Sequence, residues 1–453
     1  MNTLVVDLHL HSRFSRAVSS SITIHNLYLW GKMKGIHVLS VSDVTHPIWL
    51  QEIEVQLIEQ QDGVYTLKET EKMSEFIQND HTRNVIDPCF ILTTELSLIY
   101  SEFGKGRRVH VIVCFPDLAV VKKANKIFVN HGFNLTSDGR PILGISLRNL
   151  CELLLSVDPR IVIIPAHAWT PWFGVYGSKS GYDSLSDAFG EYETHIFAIE
   201  SGLSSDPRMN WQIEELTHRS IVSFSDAHSL SKIGREATVL KYKRKEERMK
   251  REDLTYKNII NGLKKGGDSP FELAYTIEYY PEEGKYHYTG HRVCGVALSP
   301  EQTHVQGTVC PVCGRELTVG VLHQIENLKK QTTISVTNHT DTHGVVWQKG
   351  STGEKFVNLV PLLEIIAETV EVGVNSKKVK TLYSQMITAL GPELYILLES
   401  SLESITRIAG ERIAQAIDKV RRRDIVIQPG FDGEYGKVRI WEEDTSVEQL
   451  KMI

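Results

Sequence analysis

Two histidines and an aspartate at the start of the chain have the types and spacing of metal ligands. They lie in the segment DLHLHSRFS, which begins at residue 7. Side chains alternate faces along a β-strand, so Asp7, His9 and His11 are expected to share one face. Imidazole and carboxylate groups together bind zinc, manganese or iron. The segment therefore predicts a metal site with His9 and His11 as ligands and Asp7 as a support for one of the histidines.

Acids and histidines also lie at or near the ends of six further apolar, β-branched runs. These runs are 38–41, 90–92, 109–115, 161–164, 196–199 and 221–224. Active-site residues of α/β barrels gather where strands end. Of the pair in SVSDVTHP we favour His46 as a ligand, with Asp43 in or just behind the ligand set. The other residues at these positions are Glu95, His110, His167, Glu200, Asp226 and His228.

This number of ligands fits two or three divalent ions, with Zn²⁺, Mn²⁺ or Mg²⁺ as candidates. Such clusters cleave phosphoesters by activating water and by holding the attacking and leaving oxygens. Glu95 is a natural bridging carboxylate. We therefore expect Glu95, Asp226 and His228 to be the catalytic residues.

Seven strand candidates alternate with helical segments over the first 230 residues, a pattern that predicts an α/β fold with parallel strands and favours a barrel. The chain has 453 residues and a net charge of −6, so no global basic field indicates a nucleic-acid partner. It has no apolar run long enough to span a membrane, and because its first residues enter a strand-like run directly we expect no signal peptide. We expect a cytoplasmic protein.

A second metal site is predicted from four residues with paired spacing. His291 and Cys294 form one pair, Cys310 and Cys313 form the other, and 15 residues separate the pairs. Two such pairs suit a closed, tetrahedral, structural zinc site. His287 or His304 could replace His291, but only His291 completes a second pair. Cys89, Cys114 and Cys151 are read as buried thiols of a protein in a reducing compartment.

The segments DLHLHS, TTELS, PAHA and SDAHS, together with His110, resemble the polymerase-and-histidinol-phosphatase (PHP) family. That resemblance implies a distorted (β/α)7 barrel that binds up to three metals. The ligands it implies are His9, His11, His46, Glu95, His110, His167, Asp226 and His228. Many members carry a further histidine where this chain has Arg13 and Arg16, which leaves the third metal open. These arginines are candidates for binding the substrate phosphate.

Aromatic residues directly follow His167 in HAWTPWFGVYGSKSGYDS. Beside a phosphoesterase centre they could stack an extruded base, with serines to read its edge; local packing is the alternative. The candidate base pocket is Trp169, Trp172, Phe173, Tyr176, Ser178 and Ser201. Basic residues at 241–251 and 421–423 are solvated surface or phosphate contacts.

Along nearly its full length the chain is similar to the endonuclease Q family, through DLHLHSRFSRA, PAHAWTPWFG, IESGLSSDP, YHYTGHRVC, CPVCG and PGFDGEYG. The resemblance implies a PHP barrel (1–275), a zinc-binding domain (276–330) and a mainly helical C-terminal domain (331–453). It also implies that the enzyme flips deaminated bases (uracil, hypoxanthine, xanthine) or abasic sites out of DNA and cleaves the phosphodiester on their 5′ side.

Two other functions are compatible with the sequence: a phosphatase for small phosphate monoesters or nucleotides, and a DNA-binding module without catalysis. The C-terminal stretch QPGFDGEYGKV also has two readings. It is either a contact for DNA or a repair-protein partner, or a simple structural turn.

Overall fold

The computed structural model describes residues 3–68, 87–244, 249–330, 335–351 and 353–442. Strands and helices alternate through the N-terminal part. They are β1 Thr3–Asp7, α1 Ile24–Lys34, β2 Val38–Ser40, α2 Pro47–Gln56, β3 Leu57–Gln61, β4 Val64–Leu67, β5 Cys89–Glu102, β6 Lys105–Phe115, α3 Leu118–Asn130, β7 Ile142–Leu143, α4 Leu147–Val157, β8 Val162–Pro165, α5 Leu185–Phe189, β9 Ala198–Glu200, α6 Pro207–Asn210, β10 Ser220–Val222, β11 Ala237–Tyr242, α7 Tyr256–Leu263 and β12 Phe271–Glu278.

A mixed sheet dominates this region, and the fold is α/β as expected. β1 pairs with β2 and β2 with β5 in parallel, whereas β5–β6 and β6–β8 are antiparallel. The Ala168 amide donates to the Glu200 carbonyl, which links the ends of β8 and β9, and β9 pairs in parallel with β10. A β-bridge between Leu10 and Ala227 joins the segment after β1 to the segment after β10. The segments that follow the predicted strands therefore lie next to one another.

The expectation of parallel strands throughout is wrong for β5 and β6. No helix separates them, because a two-residue turn at Phe103 and Gly104 joins them directly into a long antiparallel hairpin. Strand β1 is also shorter than expected. It ends at Asp7, so His9 and His11 project from the segment that follows the strand.

Several candidate site residues have unusual backbone angles. Asp43, His167 and Asp226 have φ values of 49°, 31° and 46°. Residues other than glycine seldom occupy this left-handed region, and those that do cluster at functional sites. Glycine at position 202 leaves room for His167 in this conformation. Any side chain there would bring its Cβ within 2.6 Å of the Cβ of His167.

Residues from 279 onward form a small module and then a mostly helical region. Three strands between residues 336 and 358 precede the C-terminal helices. They extend the main sheet, because the last of the three pairs with β12. The elements are β13 Thr289–His291, β14 Val296–Leu298, α8 Pro300–Gln306, α9 Val321–Leu328, β15 Val336–Thr340, β16 Val346–Gly350, β17 Lys355–Asn358, α10 Leu362–Thr369, α11 Lys377–Leu390, α12 Glu393–Leu398, α13 Leu402–Ala409, α14 Glu411–Arg422, β18 Val426–Gln428 and β19 Lys437–Arg439.

The helical region packs directly against the N-terminal part. Lys34 of α1 is 1% exposed and its Nζ lies 2.8 Å from Glu393 Oε2 of α12. The same carboxylate accepts from the Tyr383 hydroxyl and from the Leu362 amide. A buried charge with this many partners fixes the helices in one position on α1. No helix among the described residues is both long and apolar enough to cross a membrane.

Candidate metal centre

Two groups of potential ligands meet at the ends of the central strands. One is His9, His11 and Asp226; the other is Glu95, His110 and His167. Within each group the ligand atoms lie within 4.8 Å of one another. Glu95 belongs to the second group, but its other oxygen faces the first. The side chains come from five different strands, so only the folded sheet brings them together. His9, His11, His167 and Asp226 follow the ends of their strands, whereas Glu95 and His110 lie within β5 and β6 and not at their ends, as the sequence had predicted.

Glu95 contacts both groups through its two oxygens. Its Oε1 lies 2.6 Å from His110 Nδ1 and 3.1 Å from His167 Nε2. Its Oε2 lies 3.4 Å from His11 Nε2 and 3.6 Å from His9 Nε2. Asp226 Oδ1 completes the first group at 3.0 Å from His11 Nε2. Each oxygen of Glu95 thus faces a different group, so this carboxylate could serve cations held by either one.

Each histidine also has a polar neighbour on the nitrogen that faces away from the centre. His9 Nδ1 donates to Glu200 at 2.9 Å, and His11 Nδ1 lies 3.5 Å from Asp43 Oδ1. On the other two histidines, the neighbours are Ser97 Oγ beside His110 Nε2 and Thr170 Oγ1 beside His167 Nδ1. Such partners orient metal-binding imidazoles. His9 Nε2, in turn, is buried without a hydrogen-bond partner, so the donor set fits divalent ions.

The histidines of the two groups differ in the direction of their pKa shifts. Burial alone would lower the pKa of His9 and of His11, but the surrounding carboxylates raise the first well above its ordinary value and the second to about 9. Burial lowers the pKa of His110 to about 4 despite the nearby Glu95. Burial opposes ionisation of Glu95 and Asp226, yet the neighbouring histidines lower both carboxyl pKa values. Both carboxylates are therefore ionised and available to cations.

Two curated proteins are similar to this chain in sequence. Protein YqxK of Bacillus subtilis, itself uncharacterized, is 27% identical over 454 residues, which cover 97% of this chain and 100% of the relative. Protein MJ0043 of Methanocaldococcus jannaschii, also uncharacterized, is 28% identical over 274 residues, or 60% of this chain and 31% of that protein. The family model described as the MJ0043 C-terminal domain matches residues 361–424.

Two solved structures match the whole fold. The lesion-specific endonuclease PfuEndoQ from Pyrococcus furiosus is 28% identical, with a TM-score of 0.76 and coverage of 100% of this chain and 99% of that one. Endonuclease Q in complex with a 27-mer duplex carrying an abasic lesion is 30% identical, with a TM-score of 0.77 and 97% coverage of both chains. The chain belongs to the endonuclease Q family.

In this member of the endonuclease Q family, two predicted ligands lie outside both groups. His46 is the N-cap of α2: its Nδ1 accepts from the Trp49 amide, and its ring stacks on Phe14. His228 lies at the edge of the centre with its ring 4.6 Å from that of His11, and its side chain is 35% exposed. Neither residue belongs to the two groups whose ligand atoms lie within 4.8 Å of one another.

Asp7 does not support a histidine ring. Its two oxygens accept from the backbone amides of Ser225 and Gly234, so it fixes the loop that carries Asp226. The carboxylate behind His9 is instead Glu200, whose Oε2 also accepts from the His167 amide at 2.7 Å. The sequence marked Glu200 as a strand-end acid but gave no indication of its partner.

The arginine at the centre is not one of the two predicted. Arg13 pairs with Glu52 and lies over the rings of Phe14 and Trp49, and Arg16 is largely exposed beside Asp138. Arg140 instead donates from Nη1 to Glu95 Oε2 at 3.0 Å. It lies in a loop between α3 and β7, where no sequence pattern points to it.

Half of the predicted base pocket is part of the core. Trp169 and Tyr176 are fully buried and stack on each other, with polar atoms bound to Asn210 and Glu215. Neither ring has a free face for a base, so that prediction is wrong for them. Ser201 is also buried, and it donates to the Val222 carbonyl and to Glu278.

Three other members of the predicted pocket keep some exposure. Trp172 and Phe173 are half-buried, and Phe173 lies 4.3 Å from the His110 ring. Trp172 packs edge-on against Tyr286 at 5.3 Å. Ser178 is half-buried but its hydroxyl donates to the Val319 carbonyl. The aromatic pair therefore lies between the metal centre and the segment that leads into the cysteine-rich module.

The second metal site lies in that module. The structure brings together His291, Cys294, Cys310 and Cys313, and His291 Nδ1 lies 3.4 Å from Cys313 Sγ. His287 is buried beside Tyr288 and His304 lies beside His323, so neither belongs to the group. Three thiolates and an imidazole are a donor set that suits tetrahedral zinc.

The C-terminal turn lies against this module. Asp432 accepts from the Arg292 amide, between two of the ligands, and from the Thr318 hydroxyl. The Gly430 carbonyl accepts from the Tyr288 amide, and Gly433 donates to Lys285. These contacts match the structural reading of QPGFDGEYGKV.

Two arginines of the cluster at 421–423 are already bound within the protein. Arg421 is 1% exposed and donates to the carbonyls of Ile396, Leu397 and Ser400, so it caps the end of α12 and is not available to a phosphate. Arg422 pairs with Asp418 on its own helix. Residues 245–248 of the other cluster lie outside the described residues.

Proposed function

We propose that the chain is a DNA-repair endonuclease that hydrolyses the phosphodiester 5′ to a deaminated base or an abasic site. The observation that carries this proposal is the Glu95 carboxylate, which reaches both ligand groups within a chain that matches endonuclease Q along its length. We infer that the linked strands β1, β2, β5, β6, β8, β9 and β10 form a distorted PHP barrel around this centre.

Two divalent ions, when bound, would activate water and stabilise charge on the phosphate oxygens. His9, His11 and Asp226 would hold one, and Glu95, His110 and His167 the other. His228 lies at the exposed edge of the first group, and we assign to it the transfer of a proton to or from the reacting oxygens. Arg140 is the cation we assign to the phosphate in place of Arg13 and Arg16, since it already faces the acidic centre.

Trp172 and Phe173 are the aromatic residues that we assign to the flipped nucleotide. Both keep exposed surface, and Phe173 contacts His110 directly. A base extruded onto this pair would place its 5′ phosphate near the metal centre. Weak pairing at a lesion lowers the few kcal/mol that extrusion costs, which favours damaged over normal bases.

The test is a nicking assay with Mg²⁺ or Mn²⁺ on duplexes that contain uracil, hypoxanthine, xanthine or an abasic site, with an undamaged duplex as control. We expect a nick 5′ to each lesion with a 3′-hydroxyl and a 5′-phosphate. Turnover of histidinol phosphate or a nucleotide without nicking would instead establish a small-molecule phosphatase. Binding without any turnover would establish a non-catalytic module.

A further inference from the structure

The β5–β6 hairpin extends from the candidate metal centre into solvent. Its strands pair from Leu92 and Phe115 at the base to Glu102 and Lys105 at the tip, and Ser97 lies opposite His110. A strand rises about 3.3 Å per residue, so the tip lies at most about 20 Å beyond His110. We propose that this hairpin is an arm that binds the DNA duplex beside the cleaved bond, an inference that rests on the proposed function.

One face of the arm continues the metal centre outward. Side chains alternate along a strand, and directly opposed residues of an antiparallel pair share a face. The face that carries Glu95, Ser97 and His110 therefore continues with Ile99 and Arg108, which lie opposite each other. Arg108 is exposed, and it forms no ion pair with any residue in the described part of the chain.

The other face holds the arm in place. The Tyr182 hydroxyl donates to Glu102 at 2.5 Å and lies 2.6 Å from the Tyr100 hydroxyl. The Arg107 guanidinium lies 3.8 Å from the centre of the Tyr182 ring and also bonds the Gly181 carbonyl. Because Tyr182 is buried, these contacts fix the outer half of the hairpin to the body of the protein. The free face is thus presented in a fixed direction.

The tip carries a residue that the turn itself disfavours. Phe103 and Gly104 have φ values of 50° and 75°, as in a two-residue type I′ turn, where asparagine and glycine are preferred. A bulky residue with positive φ is an outlier, and Phe103 is 79% exposed, so it contributes little to the core. Observed strain of this kind points to function. We assign Phe103 to a contact with the duplex.

We identify the ligand of the hairpin as DNA from the charge of its free face and from the position of that face next to the metal centre. Arg108 is an exposed cation on the free face, close to the metal centre of a chain whose net charge is −6, so this face complements phosphates. Lys105 is a further exposed cation at the tip, on the opposite face. Arg108 lies two residues from His110, or about 7 Å, which is about two base pairs of a duplex rising 3.4 Å per pair. The tip would lie about six base pairs from the cleaved bond. Exposed apolar side chains flanked by cations are used by proteins that hold bent DNA.

The primary test is binding of a uracil-containing duplex with ten base pairs on each side of the lesion, measured by fluorescence anisotropy. All proteins carry Asp226→Asn so that the duplex stays intact. Arg108→Ala should weaken binding about 5- to 20-fold and reduce the salt slope by about one, as expected for one lost phosphate contact. Phe103→Asn should weaken binding about 10-fold without lowering the melting temperature, because asparagine suits the turn.

The matched control is Lys126→Ala, which removes an exposed cation from α3, the helix that follows the opposite end of β6. It should bind as the parent does. Duplexes shortened to about three base pairs on one side of the lesion provide a second control. The Phe103→Asn defect should disappear on the duplex shortened on the arm side and persist on the other.

The proposal that the hairpin binds DNA would be wrong if both arm variants kept the parent affinity. It would also be wrong if Arg108→Ala and Lys126→Ala lost affinity equally. A Phe103→Asn defect that ignores duplex length would overturn its placement at the tip. Failure of the wild-type protein to nick damaged DNA would overturn the proposed function instead, and the binding comparison would still decide whether the arm contacts DNA.

Discussion

The two candidate metal sites differ in what holds their ligands. Four of the six ligands of the centre between the main strands are buried, and each of its histidines has a second polar residue beside it. Those of the cysteine-rich module come from two short turns, and Cys313 is exposed. The apolar core beside the second site consists of Leu298, Cys310 and Leu317, whereas the N-terminal region has an extensive core of its own. Under the proposed function, metal should therefore fold the module, whereas the N-terminal region should fold without it.

Removal of the zinc site should have the largest effect. In Cys310→Ser the module loses a ligand, and because structural zinc contributes on the order of 10 kcal/mol to small domains, the module should unfold. We expect loss of bound zinc and rapid proteolysis within 286–320, measured by metal analysis and mass spectrometry, while the barrel stays intact. Cys151→Ala, a buried thiol of the barrel, is the control and should keep its zinc. If the module lost its zinc and still resisted proteolysis, metal would not be what folds it.

The barrel site should behave in the opposite way. Asp226→Asn removes a charged ligand from the first group but leaves the core and the Asp7 contacts unchanged. Loss of several kcal/mol of stabilisation of the reacting phosphate should reduce nicking at least about a thousandfold. The melting temperature and DNA affinity should change little. Global unfolding of this variant would show that metal in the barrel is structural after all.

The sequence predicted the metal centre better than its surroundings, for a physical reason. Histidines and acids at strand ends are recognisable because topology alone gathers such ends. The antiparallel hairpin was missed because its turn, Phe103–Gly104, lacks the usual asparagine. Trp169 and Phe173 look alike in sequence, yet one is core and the other borders the centre, since small differences in loop path decide which ring is buried. Arg140 reaches Glu95 from a distant loop, and no local pattern encodes that contact.

A smaller effect should separate the ligands from the residues that orient them. Glu200→Gln keeps the size of the side chain but weakens the bond to His9 Nδ1, and loss of such a partner costs about 10- to 100-fold in metal affinity. Metal affinity should be measured by calorimetry with Mn²⁺. Asp7→Asn is the matched control, because Asp7 accepts from the amides of Ser225 and Gly234 and not from the ring of His9. It should lower stability without a comparable loss of affinity; equal losses in both variants would mean that Glu200 has no special role.

The two groups within the barrel should also respond differently to pH. Without metal, the pKa of His11 is raised to about 9, so His11 is protonated at neutral pH; its ion pairs stabilise the metal-free fold below pH 6.5 and are lost as pH rises through about 9. Metal must displace this proton, so affinity at the first group should rise about tenfold per pH unit for each proton released.

His110, with a pKa of about 4, is already neutral, and it adds no such dependence to the second group above about pH 5. Calorimetry at pH 6.5 and 7.5 should therefore resolve one pH-dependent class of site, absent in His11→Asn, and one nearly independent class, absent in His110→Asn. Identical slopes for both classes would mean that the two groups bind metal as one unit.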